Sequence, residues 1–141
     1  MIEVTTDTAT ICIYDVACLR HRKDDVGDWW SIPANELHEI RLGNALFLNL
    51  GSDGHYSVEI ANQPVVGVPY NLKVVSGQMF IGPGEETTGG GFEPDGSWGG
   101  TFIEMATGSY QCTIRRSDNH ITLRFDPTSV AQNDIDDLIR I

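Results

Sequence analysis

Alternation of apolar and polar residues with a period of two dominates this chain and predicts an all-β protein. Apolar positions alternate with polar ones at residues 110–115 and again at 121–125, with Ser117, Asp118 and Asn119 between the two runs. Because the side chains of a strand point alternately to its two faces, this pattern predicts a β-hairpin with one apolar face. The three small polar residues between the runs are typical of a tight turn.

A second hairpin is predicted in the first half of the chain. An apolar run at residues 46–50 is followed by Gly-Ser-Asp-Gly at 51–54 and by an alternating run at 55–60. Turn-forming residues between two such runs favour direct antiparallel pairing of the strands. Further strands are predicted at residues 8–14, 70–75, 78–81 and 101–105. Short strands with one polar face predict an antiparallel β-sandwich or flattened barrel, formed by a single domain over residues 1–141.

Helix signals are few, so we expect only one or two short helices. Asp15 is a suitable N-cap for a short turn over Val16–Arg22, and Pro33 suits the first position of another turn through residues 36–39. Pro127 likewise predicts a C-terminal helix over residues 128–141, although its apolar residues form only a partial stripe.

Acidic residues outnumber basic ones by a wide margin. The chain has 20 Asp and Glu against nine Lys and Arg, a formal net charge of −11. Phosphate groups repel such a protein, so we expect neither nucleic acid nor an anionic membrane as its partner. The charge favours a basic protein instead. The first residues do not resemble a secretory signal and no stretch is long enough to span a membrane, so we expect a cytoplasmic protein.

Cysteine, metal and catalytic motifs are weak. Cys12, Cys18 and Cys112 are odd in number and widely spaced, so we expect free thiols rather than disulfides or zinc ligands. Cys18 lies near the basic residues 20–23, which would lower the pKa of its thiol if they surround it in the fold. The acidic run at 24–28 offers oxygen ligands for calcium but lacks the EF-hand spacing. We therefore expect no cofactor, no bound metal and no catalysis.

Residues 82–100 depart from the strand pattern. The segment contains eight of the fifteen glycines of the chain, several acidic residues and no basic residue. A loop of this length inside a small domain is uncommon and is often functional. It is either a long connection between strands or an acidic finger that contacts a partner. In the second case the contacts are Glu85, Glu86, Glu93 and Asp95, with Trp98 or Phe92 as an apolar anchor.

Residues 20–30 form the other unusual tract. Four basic or histidine residues are followed by Asp24, Asp25 and Asp28 and then by Trp29 and Trp30. The three aspartates form a second candidate patch for a basic partner. Either one tryptophan closes an end of the sandwich while the charges pair with one another, or the two form an exposed aromatic pair. Such a pair would bind a protein partner or stack on a sugar ring.

Two parts of the chain resemble known families. Residues 8–15 (Thr-Ala-Thr-Ile-Cys-Ile-Tyr-Asp), with Leu-Arg-His-Arg at 19–22 and Asp-Trp-Trp at 28–30, are similar to an uncharacterised family of small bacterial β-proteins. Residues 108–114 (Gly-Ser-Tyr-Gln-Cys-Thr-Ile) resemble the glycine-x-tyrosine strand of several immunity proteins of bacterial toxin systems. The resemblance implies a bacterial cytosolic protein and makes toxin neutralisation a candidate function. It assigns no functional residues.

Three hypotheses of function follow. The first is an acidic immunity protein or inhibitor that occludes the active site of a basic toxin and has no catalysis of its own. The alternative is a carbohydrate- or small-ligand-binding module that stacks a ring on Trp29, Trp30 or Trp98. The third is a hydrolase that uses Cys18 or the acidic run at 24–28. The sequence leaves open whether the chain is a monomer or a homodimer.

Overall fold

The computed structural model describes residues 1–87 and 94–141, which form ten strands, one α-helix and three short 3₁₀ turns. The helix, α1, is Pro33–Leu42, and the 3₁₀ turns are Val16–Arg22, Trp29–Ser31 and Gly84–Thr87. The strands are β1 Ile2–Thr6, β2 Thr10–Asp15, β3 Leu46–Asn49, β4 Gly54–Ile60, β5 Val68–Val74, β6 Gln78–Pro83, β7 Thr101–Glu104, β8 Gly108–Ser117, β9 His120–Thr128 and β10 Ile139–Arg140.

The strands form two five-stranded sheets that pack face to face. The first sheet has the order β1-β4-β9-β8-β5 and the second has the order β10-β3-β2-β6-β7. Neighbouring strands are antiparallel except in the pairs β4–β9 and β10–β3, which are parallel. Over the described residues neither sheet closes into a barrel. The prediction of an all-β sandwich is therefore confirmed.

The hairpin predicted around residue 118 is confirmed. Strands β8 and β9 pair in antiparallel register from Ser109 opposite Thr128 to Ser117 opposite His120. Only two residues connect them, and Asp118 has a positive φ of 51°. Aspartate tolerates this left-handed conformation better than most residues, which explains why the turn is so short.

The hairpin predicted over residues 46–60 is wrong. Strand β3 lies in the second sheet between β2 and β10, whereas β4 lies in the first sheet between β1 and β9. The connection over residues 51–54, with positive φ at Gly51 and Gly54, carries the chain from one sheet to the other. Leu46, Phe47 and Leu48 are all fully buried, so both faces of β3 are covered. A strand of this kind has a continuous apolar run, which conceals which sheet it belongs to.

Apolar side chains from the facing surfaces of both sheets form the main core. Alternate residues along each strand point inward, as strand geometry requires. The second sheet contributes Ile11, Ile13, Leu46, Leu48, Met79 and Ile81, and the first contributes Val4, Tyr56, Val58, Leu72, Cys112, Ile121 and Leu123.

A third layer of short helical elements covers the outer face of the second sheet. The remaining alternate residues of that sheet include Phe47 and Phe80, and they are buried as well. The Trp30 ring stacks on Phe47 at 6.0 Å between ring centroids, and the Trp29 ring meets Phe47 edge-on at the same distance. Trp29 and Trp30 are only 4% and 3% exposed. The interpretation of these tryptophans as an exposed aromatic pair is therefore wrong.

The residues that start helical segments predicted two of these segments correctly. The Asp15 side chain accepts a hydrogen bond from the Ala17 N–H at the start of the Val16–Arg22 turn. Helix α1 begins at Pro33 and ends before Gly43, which has a left-handed φ of 74°. The predicted C-terminal helix is wrong, because residues 129–138 are irregular and lead into β10.

Candidate partner-binding site

A buried carboxylate holds the turn that precedes β7. Glu86 is 7% exposed and its Oε1 accepts the backbone N–H of Trp98 at 2.8 Å. Its Oε2 accepts the backbone N–H of Asp95 at 3.4 Å. The Asp95 side chain in turn accepts the Ser97 N–H at 2.9 Å, closing a local turn. We name residues 94–98 the Trp98 turn, since Glu86 binds its backbone at two points.

The indole of Trp98 projects from this turn into solvent. It is 69% exposed, whereas Trp29 and Trp30 are buried. Among the described residues, the other large exposed apolar side chains are not aromatic. A tryptophan on a fixed backbone offers a large contact area at a small cost in conformational entropy. This side chain therefore has the properties of an interface anchor.

Core residues fix the start of the loop that carries the Trp98 turn. The Thr87 carbonyl oxygen accepts the indole N–H of Trp29 at 3.0 Å. The Thr87 hydroxyl lies 3.0 Å from the Cys12 sulfur and 3.3 Å from the Tyr14 hydroxyl. These contacts bind the start of the loop to β2 and to the layer that covers the second sheet.

A close backbone approach fixes the end of the same loop. Gly100 has a positive φ of 84°, and a Cβ there would lie 2.5 Å from the carbonyl oxygen of Ile81. Only glycine meets both conditions, because an L side chain would be strained and would collide with backbone. The chain therefore enters β7 at a defined position.

The segment around the Trp98 turn has a single sign of charge. Between Lys73 and Arg115 the chain contains no Lys, Arg or His, and its acidic residues there are Glu85, Glu86, Glu93, Asp95 and Glu104. Sequence reasoning did not select Glu104, which is exposed at the end of β7. The predicted contacts Phe92 and Glu93 lie outside the described residues. The described part of the segment is negative and faces solvent through Asp95 and Glu104.

The Glu85 carboxylate is directed toward the β1–β2 connection rather than outward. It accepts the Thr6 hydroxyl and the Asp7 N–H, each at 2.9 Å, and the Thr8 hydroxyl. Burial alone would raise the pKa of Glu85, but the hydrogen bonds from Thr8, Asp7 and Thr6 outweigh it and lower the pKa. Glu85 and Glu86, both predicted as partner contacts, therefore use their carboxylates to hold the loop in place.

The second predicted patch lies beside the first. Lys23 and Pro94 line one narrow crevice, with Trp29 at its base. Asp24 follows Lys23 and Asp95 follows Pro94, so the two acidic tracts are neighbours on the surface.

Charges within the second patch are partly paired. Asp25 forms an ion pair with Arg22 at 3.0 Å, and the Arg22 guanidinium also lies 4.8 Å from the centre of the Trp29 ring. Asp24 and Asp28 are exposed. Because Arg20, Arg22 and Lys23 also line the crevice, this patch is less negative than the segment that carries Trp98.

The three cysteines are free and buried, as expected. The idea that basic neighbours activate Cys18 is wrong. Burial, followed by the charge of Asp15, raises the pKa of the Cys18 thiol to about 11. Burial raises the pKa of Cys12 to about 12, and that of Cys112 as well. These thiols stay protonated at neutral pH and are poor nucleophiles.

Other polar groups cross-link strands. On the exposed outer face of the first sheet His55 pairs with Glu3 at 2.7 Å and His120 with Glu59 at 3.0 Å. Within the described ranges, no three His, Cys, Asp or Glu side chains converge to hold a metal ion. The described helices include none of the length and apolarity needed to cross a membrane.

Comparison with known proteins yields one family. A model described as a family of unknown function, DUF6386, matches residues 1–141. No curated protein and no solved structure matches the chain. The full-length match confirms the expectation of an uncharacterised family, whereas the likeness to immunity proteins stays a prediction.

Proposed function

The chain belongs to DUF6386, a family of unknown function, and we propose that it is a binding protein that uses the Trp98 turn to engage a basic protein partner. In its most specific form the proposal is an immunity protein or inhibitor that occludes the positively charged active site of a toxin. It performs no catalysis itself. In this proposal the protein binds its partner in the cytoplasm.

The observation that carries the proposal is the exposed indole of Trp98 on a backbone held by Glu86. Interface energy concentrates in a few anchors, among which tryptophan is enriched. A side chain whose backbone is already ordered loses less entropy on binding. The Trp98 ring contributes little burial to the core, whereas Trp29 and Trp30 are buried in it.

Charge supports a basic partner. With a net charge of −11 and no basic residue between Lys73 and Arg115, the protein attracts positively charged surfaces over a long range. Enzymes that bind nucleic acid have such surfaces, because their clefts must attract phosphate. Asp95 and Glu104 are exposed, and in this proposal their carboxylates take the place of those phosphates at the surface of the partner.

The carbohydrate-binding alternative has less support. Two of the three tryptophans proposed as stacking platforms are buried, so only Trp98 is available to a sugar ring. A single exposed ring offers a glycan one stacking surface, whereas ligand sites usually enclose most of their ligand.

Affinity capture with tagged variants tests the proposal. The wild-type protein, Trp98→Ala and the control Val66→Ala are each used to capture partners from the cells that encode the chain, at low and high salt. Val66 is also an exposed apolar residue, at 88%, but it lies in the β4–β5 connection of the first sheet.

We expect wild type and Val66→Ala to capture the same basic protein and to release it as the salt concentration rises. Trp98→Ala should capture much less, because an anchor tryptophan typically contributes about 30-fold in affinity. Equal capture by Trp98→Ala and wild type would refute the role of Trp98. Salt-insensitive binding, or binding only of glycans, would refute a basic protein partner.

A further inference from the structure

We infer that the free edge of β7 binds an extended segment of the basic partner as an additional strand of the second sheet. The inference rests on the proposed function and specifies how the partner is held. Trp98 would anchor the partner beside the edge, and the backbone of β7 would pair with it.

The register of β7 shows which backbone groups are available. Over the described residues, strand β7 pairs with β6 on one side only, with Ile103 opposite Met79 and Phe102 opposite Phe80. The Met105 N–H donates to the Gly77 carbonyl at 2.9 Å, just beyond the end of that register. Because bonded and non-bonded pairs alternate in an antiparallel ladder, Ile103 bonds to β6 whereas Phe102 and Glu104 direct their N–H and C=O groups outward.

Two of the other three strand edges of the fold are occupied or short. At the outer edge of β5, the Lys73 N–H donates to the Gly43 carbonyl at 2.9 Å. The Asn71 N–H and C=O both bond to the side chain of Asn133 at 2.7 Å. Strand β10, at the other edge of the second sheet, has only two residues. Over the described residues, the fold thus covers the edge of β5 but leaves β1 and the four residues of β7 as open edge strands, and β7 is the one that follows the Trp98 turn along the chain.

A groove of about 680 Å³ lies where the start of β6 meets the end of β7, lined by residues 76–78 and 102–106. Phe102, Ile103 and Met105 are half-buried and pack against the core, while Glu104 is exposed. Added strands gain affinity from main-chain hydrogen bonds and specificity from such alternating side-chain sites. Trp98 lies three residues before the start of β7, so the anchor and the edge strand are close together along the chain.

The charge of the groove identifies its occupant. Among the described residues that line it there is no Lys, Arg or His, and Glu104 is the one charged residue. A Lys or Arg on an added strand opposite Glu104 would make a favourable cross-strand pair. A second copy of this chain, with the same charge of −11, would instead place like charges along the edge. An extended basic segment therefore fits this edge better than self-association does.

A matched pair of substitutions at one position isolates backbone pairing. Glu104→Ala removes the charge but keeps the outward N–H, whereas Glu104→Pro also removes that N–H and blocks an incoming strand. Proline is tolerated on an edge strand where the N–H faces solvent, so the bonds between β6 and β7 are retained. The probe is the tightest basic peptide selected from a phage-displayed library of short linear peptides against the full-length wild-type protein at low salt.

We expect Glu104→Ala to weaken peptide binding by only a few-fold, as for a single exposed charge pair. Glu104→Pro should weaken it by at least about tenfold, because a main-chain hydrogen bond is lost and its partner group is left unpaired. Equal affinities of the two variants would overturn the inference. Thermal unfolding of both variants, compared with wild type, controls for loss of structure.

Hydrogen exchange on the wild-type protein provides a second test that needs no variant. Bound peptide should slow exchange of the Phe102 and Glu104 amides, and unchanged exchange at both would overturn strand addition. A peptide that is lost in Trp98→Ala but bound equally by Glu104→Pro and Glu104→Ala would retain the proposed function and refute the added strand. Selection of no basic peptide would refute both.

Discussion

Substitution of Glu86 by Ala tests whether the Trp98 turn is pre-ordered. Glu86 is buried beneath the turn, and its carboxylate accepts the Trp98 N–H at 2.8 Å and the Asp95 N–H at 3.4 Å. The substitution removes both acceptors and leaves the side chains of Trp98 and Asp95 unchanged. Glu86→Gln removes the same negative charge, so any loss of binding by Glu86→Ala beyond that of Glu86→Gln reports loss of order in the turn.

The magnitude follows from these two hydrogen bonds. A hydrogen bond to a charged acceptor contributes about 1.5–3 kcal/mol. The longer bond to the Asp95 N–H adds little, because hydrogen bonds weaken near the upper limit of their length. A net loss of about 2 kcal/mol corresponds to a roughly 30-fold larger population of the open turn. Partner affinity should fall by no more than this factor.

Amide hydrogen exchange measured by NMR is the appropriate assay, since it needs no partner. In Glu86→Ala the Trp98 amide should exchange about 30-fold faster than in wild type, while core amides of β2 and β6 change little. Glu86→Gln is the matched control, because it keeps a neutral oxygen acceptor and should show a smaller increase. A Trp98 amide that exchanges as slowly in Glu86→Ala as in wild type would refute the pre-ordered turn.

Two buried carboxylates give further predictions. Burial raises the pKa of Glu36 to about 7 despite its hydrogen bond from Asn49, so folded protein binds more protons than unfolded protein between pH 4.5 and 7. Stability should therefore fall as the pH rises through that range, and Glu36→Gln should remove the decline and stabilise the protein by up to about 3 kcal/mol above pH 7, measured by urea unfolding. Burial would raise the pKa of Asp15, but hydrogen bonds from the Ser76 hydroxyl and the N–H groups of Ala17, Val75 and Ser76 outweigh it and lower the pKa. The stabilisation that the Asp15 carboxylate provides should be complete above about pH 4 and be lost as the pH falls further. Asp15→Asn should lower the free energy of unfolding by about 3 kcal/mol at neutral pH and flatten the dependence of stability on pH in the acid range. An unchanged dependence on pH would contradict the assignment to Asp15.

Elements with local signals were predictable from the sequence. The two-residue turn at Asp118 fixes the β8–β9 hairpin, and Asp15 and Pro33 mark the starts of helical segments. The wrong hairpin over residues 46–60 has a non-local cause. Trp29 and Trp30, which belong to a third layer, cover Phe47. The pattern of residues 46–50 alone does not indicate that this layer exists.

The prediction of a C-terminal helix was wrong for a similar reason. Asn133 bonds to the backbone of Asn71 on β5 and to the Ile40 carbonyl of α1. These contacts with distant elements hold residues 129–138 in an irregular path, and they override the weak helical stripe after Pro127.

The candidate site was only partly predictable. The acidic glycine-rich segment and Trp98 stand out by composition. Trp98 is exposed, as an interface anchor must be, whereas residues 82–84, 86 and 87 are buried. The inward direction of Glu85 and Glu86 depends on Thr6, Thr8 and the turn they hold, far away in sequence. Glu104 matters only because β7 is an edge strand, and strand order cannot be inferred from the residues of β7 alone.

The most direct test of the central claim is calorimetric titration of the captured partner into wild type and Trp98→Ala, each at low and high salt. Our account predicts tight binding to wild type that weakens steeply with salt, and a loss of about 30-fold for Trp98→Ala at either salt concentration. Affinities that change neither with salt nor with the loss of the indole would contradict binding of a basic partner through the Trp98 turn.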